Sequence, residues 1–291
     1  MRGADDRRRR VCLQGGAPRT IRHRADVASA SVSRDRRWTG WSVFARLLPY
    51  LDQGAVYDNA NFQLTYSNAI NTTVAFQRIG LFLCPSDPNP QRNNSPFGQS
   101  AVTCYGFNYG DWYCWGGFDG PVGRNAFYPN RARHHSEFID GTSHTMMAAE
   151  VKAFQQFRRC SGQFTTVNNP DIIPSPDIDS MAAAPEYATC TLGNDHGAWV
   201  DANAHETSVT TAWPPNHYSG DNVGHADLDL ESTLISQGGP TYAAITARSY
   251  HENGVHALFA DGHVRFVGNN IHGSIWRAVG TVAGGEVTGD F

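Results

Sequence analysis

Between Trp41 and Leu51 the apolar side chains Trp41, Phe44, Leu47, Leu48 and Leu51 recur at helical spacing. Thr39 or Ser42 is positioned to cap that helix, and Pro49 kinks or ends it. Asn71–Arg78 reads as a second short helix with Asn71 or Thr72 as its cap. Ile79–Cys84 is a compact apolar run, read as a buried strand, and Pro85-Ser86-Asp87-Pro88 stops it as a turn. Ala101–Phe118 mixes aromatics with glycine as irregular β structure does. Thr145–Phe154 reads as a strand and Ala198–Thr211 as a hairpin. Residues 168–185, with four prolines, and the Asp- and Gly-rich stretch 214–239 read as long loops.

The clearest local pattern is Val255–Val267. Asp261-Gly262 suits a two-residue turn with positive φ at both positions. That turn sets Phe259 opposite Val264 and Ala257 opposite Phe266. Val255, Ala257, Phe259, Val264 and Phe266 would then face the core, with His256, Leu258, Ala260, His263 and Arg265 outward. Tyr242–Tyr250 is expected as a third strand beside this hairpin. Asn270–Val279 is expected as a closing helix that buries Ile271, Ile275 and Trp276. Short strands, short helices and long loops together predict an α+β fold with an antiparallel sheet.

Charge divides the chain. Met1–Arg46 holds 12 arginines and four acids, whereas the rest holds 11 basic and 23 acidic residues, so the formal net charge of −4 describes neither part. Residues 1–37 have no apolar period and read as a basic, disordered segment. Residues 38–291 read as the globular domain. Its acidic balance argues against nucleic acid as a partner. The longest apolar run, Ile79–Cys84, is far too short to span a membrane, and no secretory signal is visible.

The six cysteines include no Cys-x-x-Cys pair. Their wide spacing suits either disulfides or buried thiols, and the bridges considered are Cys84–Cys104 and Cys160–Cys190. Of the twelve histidines, the tightest clusters are His134-His135, His196-Asp201-His205 and His251-His256-His263. No His-Glu-x-x-His, Gly-x-Ser-x-Gly or phosphate-cradling loop is present, so no catalytic residues are assigned and no cofactor is implied. His251 is expected to hydrogen-bond the turn carboxylate Asp261 and fix the hairpin ends. A metal site on His251 or Asp261 is the alternative. Asp221, Asp227 and Asp229, with Asn222, could offer oxygen ligands to calcium but lack the EF-hand order. Trp112, Tyr113 and Trp115 are candidate aromatics for a sugar or a partner, against the alternative that they pack over a sheet.

His251, nine residues, then Asp261-Gly262 resembles the H-X9-DG signature of prepilin-processing-associated proteins, the DUF1559 family abundant in planctomycete-type bacteria. Arg46–Gly54 (RLLPYLDQG) resembles the family's RLLPYLEQG block, and Phe82–Asp87 matches FLCPSD. Asp140–Thr145 (DGTSHT) is similar to DGTSNT, with His144 in place of Asn, and Trp276–Val287 resembles the family's ending. The resemblance implies a pseudopilin-like head with short flanking helices and long loops, non-enzymatic, in the cell envelope, periplasmic or on the cell surface. It implies pilin-like subunits or secretion machinery of type II or type IV pilus kind as partners. The family's N-terminal pilin helix, its route to the membrane, is absent from residues 1–37, so an upstream start, a fragment or a misread frame is expected.

Overall fold

The computed structural model describes residues 39–88, 92–95, 98–159, 190–218, 227–232 and 234–286. The basic segment 1–37 and the proline-rich loop 168–185 lie outside them. The helices are α1 (Val43–Leu47), α2 (Gly54–Asp58), α3 (Thr72–Ala75), α4 (Ala204–Thr207) and α5 (Gly273–Val279). The first six strands are β1 (Arg92–Ser95), β2 (Gly98–Ala101), β3 (Tyr105–Asn108), β4 (Tyr113–Trp115), β5 (Met146–Glu150) and β6 (Gln156–Arg159). The others are β7 (Thr191–Asn194), β8 (Ser208–Val209), β9 (Asp229–Glu231), β10 (Thr241–Ala244), β11 (Gly254–Phe259) and β12 (Val264–Gly268). The fold is α+β. One five-stranded sheet has the order β12-β11-β5-β3-β8, a second has β4-β10-β9-β6-β7, and β1-β2 form a separate ribbon.

Ser42 starts α1 by accepting the Ala45 N–H, and Pro49 turns the chain into a 3-10 segment, Leu48–Tyr50. Trp41, Phe44 and Leu48 enter the main core with Phe82, Phe107 and Trp199. Three expected elements differ. Ile79–Cys84 is a 3-10 turn over Gly80–Phe82 that buries only Ile79 and Phe82, because Leu81 points out to solvent. Ala198–Thr211 contains α4 and then β8, which pairs in parallel with β3, so it is not a hairpin. The strand expected at Tyr242–Tyr250 is the shorter β10, and it joins the second sheet. The neighbour of the C-terminal hairpin is β5 instead.

The hairpin exists, but its connection is longer by one residue. Phe259 N–H donates to the His263 carbonyl, and Gly262 N–H donates to the Phe259 carbonyl. The loop is therefore Ala260-Asp261-Gly262, a turn closed by a glycine at φ 94°, the three-residue alternative to a two-residue turn. The pairs are Leu258↔Val264, Ala257↔Arg265, His256↔Phe266 and Val255↔Val267. One extra residue flips every side chain of β12 to the other face. Val255, Ala257, Phe259 and Val267 pack on Met146, Trp276 and Val279. Val264 and Phe266, expected inside, stand outside at 62% and 45% exposure, beside Leu258 at 37%.

The outer face can be followed across the sheet through paired residues, Phe107↔Ala148↔Leu258↔Val264. Phe107 and Ala148 are covered by the main core, and the row then runs out into solvent. On the inner face α5 buries Trp276 fully, while Ile271 and Ile275 are only half-buried.

Gly262 has open space where a Cβ would sit, so its requirement is conformational alone. Gly262→Ala is expected to lower stability by about 1 kcal/mol, read by urea denaturation. An unchanged midpoint would contradict the loop geometry.

Candidate functional site

The residues of the H-X9-DG signature separate in space. His251 precedes β11 and Asp261 follows it, so the six residues of the strand hold them roughly 20 Å apart. The expected His251–Asp261 bond is therefore not formed. Asp261 instead accepts from the backbone N–H of His263 (3.1 Å) and meets its ring Nδ1 (2.6 Å), closing the turn locally. Those two bonds draw the Asp261 carboxyl below its ordinary range.

His251 meets Glu150, the last residue of β5. Its Nε2 lies 3.1 Å from Glu150 Oε1. The other oxygen, Oε2, accepts the backbone N–H of His256 at 2.7 Å and faces His256 Nδ1 at 3.1 Å. Cys84 Sγ lies 3.7 Å from His251 Nε2 and 4.0 Å from Glu150 Oε1. An ionised carboxylate can only accept, so both imidazoles donate to it. Glu150 is nearly buried, with a side-chain exposure of 6%. It joins three segments that are remote in sequence: the Cys84 turn, β5 and the loop entering β11. That loop is also held by its own bonds. Ser249 Oγ accepts from His251 N–H and donates to the Gly254 carbonyl, and Asn216 Oδ1 accepts from Ser249 N–H.

The arrangement resembles a cysteine nucleophile with its base, yet the wiring is wrong for one. A relay needs the thiol on one imidazole nitrogen and the carboxylate on the other. Here both meet Nε2, so the nitrogen that would take the thiol proton already gives its own to Glu150. Cys84, Glu150 and His251 each bring a ligand atom within 4.8 Å of the others, a set that suits zinc by type. The His251 nitrogen that would bind an ion is the one engaged by Glu150.

The FLCPSD and DGTSHT blocks form joints of the same kind. Asp87, from the FLCPSD block, accepts the Ala153 N–H at 3.0 Å and the Cys104 thiol at 3.6 Å. Asp140, from the DGTSHT block, accepts from Gly284 N–H, Gly285 N–H and the Thr281 hydroxyl, tying that block to the C-terminal one. None of these bonds has a local spacing signal, because each partner lies far along the chain.

Other expected sites are relocated. Cys84 and Cys104 are free thiols, so the bridge between them is not formed. Burial pushes the Cys104 thiol up to about 12, opposed by a backbone hydrogen bond at Cys84 and helped by Asp87, which leaves it un-ionised and unreactive at neutral pH. Cys190 is disulfide-bonded, and Cys160 lies outside the described residues. Trp112, Tyr113 and Trp115 are buried, which corrects the expectation that they face a ligand. Trp112 and Tyr113 pack with Tyr242 in the second sheet's core. Of the acidic loop, Asp221 and Asn222 lie outside the described residues, and Asp229 is buried within 3.4 Å of Arg248.

If Glu150 is the joint, the cost of its loss exceeds that of any one partner. His251→Ala is expected to destabilise by about 1 kcal/mol, since the ring is partly exposed, and Glu150→Ala by about 2–3 kcal/mol, since it leaves the His256 N–H and both imidazoles without their acceptor. Chemical denaturation of both variants checks the order, and equal losses would contradict it.

The chain matches the model of a family described as a protein of unknown function, DUF1559, over residues 21–273. No curated protein and no solved structure matches it.

Proposed function

The chain belongs to the DUF1559 family, and from that premise we propose that it is the non-enzymatic, pseudopilin-like head of a cell-envelope assembly protein. The observation that carries this reading is the open apolar face of the C-terminal hairpin. Leu258, Val264 and Phe266 lie on it together, and β12 is the outermost strand of its sheet. A cavity lined by Phe266, Ile271, His272 and Ile275 lies where β12 meets the segment leading into α5. An edge strand with a contiguous apolar face favours a protein partner. The partner in this reading is a pilin-like subunit of the same kind, at the periplasmic or outer surface of the envelope.

The joints support the reading as well. Residues of the resemblance blocks hold segments together, Asp87 and Asp140 as acceptors and Cys84 and His251 around Glu150, and the Cys84–His251–Glu150 wiring is unsuited to nucleophilic attack. A glycan-binding module had Trp112, Tyr113 and Trp115 as its candidate surface, and their burial removes that support. A metal-dependent hydrolase on His251 and Asp261 loses its basis because the two stand at opposite ends of β11.

Val264→Asp with Phe266→Asp tests the surface. Both positions face solvent, so stability should change by no more than about 0.5 kcal/mol each. Sedimentation of the chain, and crosslinking to pilin-like subunits in cells, should show association weakened about tenfold or more, which corresponds to about 1.4 kcal/mol. A wild-type chain that stays monomeric and crosslinks to no pilin-like subunit would overturn the proposal.

A further inference from the structure

A second cluster lies in the other sheet, remote in sequence from the hairpin. Asp195 and His196 follow directly on β7, and Asp229 opens β9. These strands flank β6, and the Asp195 N–H donates to the Gln155 carbonyl just before it. All three side chains are fully buried. Asp195 Oδ1 and Oδ2, His196 Nε2 and Asp229 Oδ2 receive no hydrogen bond of good geometry, although Asp195 and Asp229 lie within reach of each other and Thr246 approaches Asp229. One ligand atom from each residue lies within 4.8 Å of the others. Orphaned buried carboxylate oxygens carry a large desolvation penalty, so several meeting at one point call for a bridging cation or proton.

The surroundings favour a metal cation. His196 Nδ1 lies 3.2 Å from the Glu206 carbonyl, which can only accept, so Nδ1 carries the proton and Nε2 presents a lone pair. That is how ligating histidines are usually oriented. The ring is aimed by a backbone at φ 51°, an unfavourable conformation for a non-glycine residue. Bonds on both sides hold it there, from His196 N–H to His205 O and from Thr103 N–H to His196 O. The other Asp229 oxygen, Oδ1, lies 3.4 Å from Arg248, which leaves Oδ2 for the cluster. His196 Nε2 and Asp195 Oδ2 are 3.9 Å apart. Oxygen and nitrogen ligands of one tetrahedral zinc ion stand about 3.3–3.6 Å apart, given metal–ligand distances of about 2.0–2.2 Å, so this pair closes by a few tenths of an ångström when an ion binds.

We propose that Asp195, His196 and Asp229 bind a structural divalent transition ion, of zinc type, that ties the end of β7 to the start of β9. The imidazole selects against calcium and magnesium, which prefer oxygen alone, and the absence of thiolate selects against copper(I). The competing arrangement is a proton shared between Asp195 and Asp229.

Asp195→Asn mimics the protonated acid and so separates the two. The wild-type chain, Asp195→Asn and Cys84→Ser are equilibrated with zinc, dialysed, and analysed for metal content. The expected result is one equivalent fewer in Asp195→Asn than in the wild type, with that equivalent kept in Cys84→Ser. The same content in Asp195→Asn and wild type, zero included, would overturn the site. Should Asp195→Asn fail to fold, zinc-edge X-ray absorption of the loaded wild type decides. A first shell of oxygen and nitrogen is expected. A chain that binds no zinc, or a shell whose ligands all include sulfur from the Cys84 cluster, would overturn it.

Discussion

A single buried carboxylate sets the geometry of the C-terminal half. Glu150 ends β5, and its two oxygens take the rings of His251 and His256 and the backbone N–H of His256. The Glu150 side chain is only 6% exposed, and a buried carboxylate is costly without donors. The chain provides them from a segment about one hundred residues later. That requirement fixes where the loop from Ser249 enters β11, and so how β11 lies against β5. The three-residue loop after β11 then fixes which side of β12 meets α5.

From this register follows the surface on which the functional reading rests. His256 stacks edge-on to both His251 and Phe266, with ring centroids 5.1 Å apart in each case. The joint and the open apolar face are therefore neighbours on the same side of the sheet. Phe107 and Ala148 show what that face looks like when covered, and Leu258, Val264 and Phe266 show it uncovered. The fold buries the apolar residues of the inner face against Trp276 and leaves the outer row without a partner within the described residues.

Local signals in the sequence located most elements and missed what depends on long-range pairing. Ser42 and Pro49 delimit the first helix as their chemistry requires. Asp261-Gly262 marks the hairpin, yet the pair serves two-residue and three-residue loops alike. One residue of difference inverted the faces of β12, so Val264 and Phe266 were expected inside. His251 stood out through its spacing to Asp261, but its partner is Glu150, for which no spacing rule exists. Trp112, Tyr113 and Trp115 looked available because nothing local shows that β10 packs beside them. The FLCPSD and DGTSHT blocks were legible as resemblance, while the roles of Asp87 and Asp140 as acceptors required the fold. His196 and Asp201-His205 were visible as a group, but Asp229, the residue that completes the orphaned cluster, comes from another strand.

The central claim is that these long-range carboxylate acceptors are joints and that Glu150 is the principal one. Hydrogen–deuterium exchange on the wild type and Glu150→Ala tests it directly, because the carboxylate bonds a specific backbone N–H. The account predicts faster exchange at His256 and through the Ser249–Leu258 segment, with the β6–β9 pairing unchanged. Unaltered protection at His256 in the variant would contradict it.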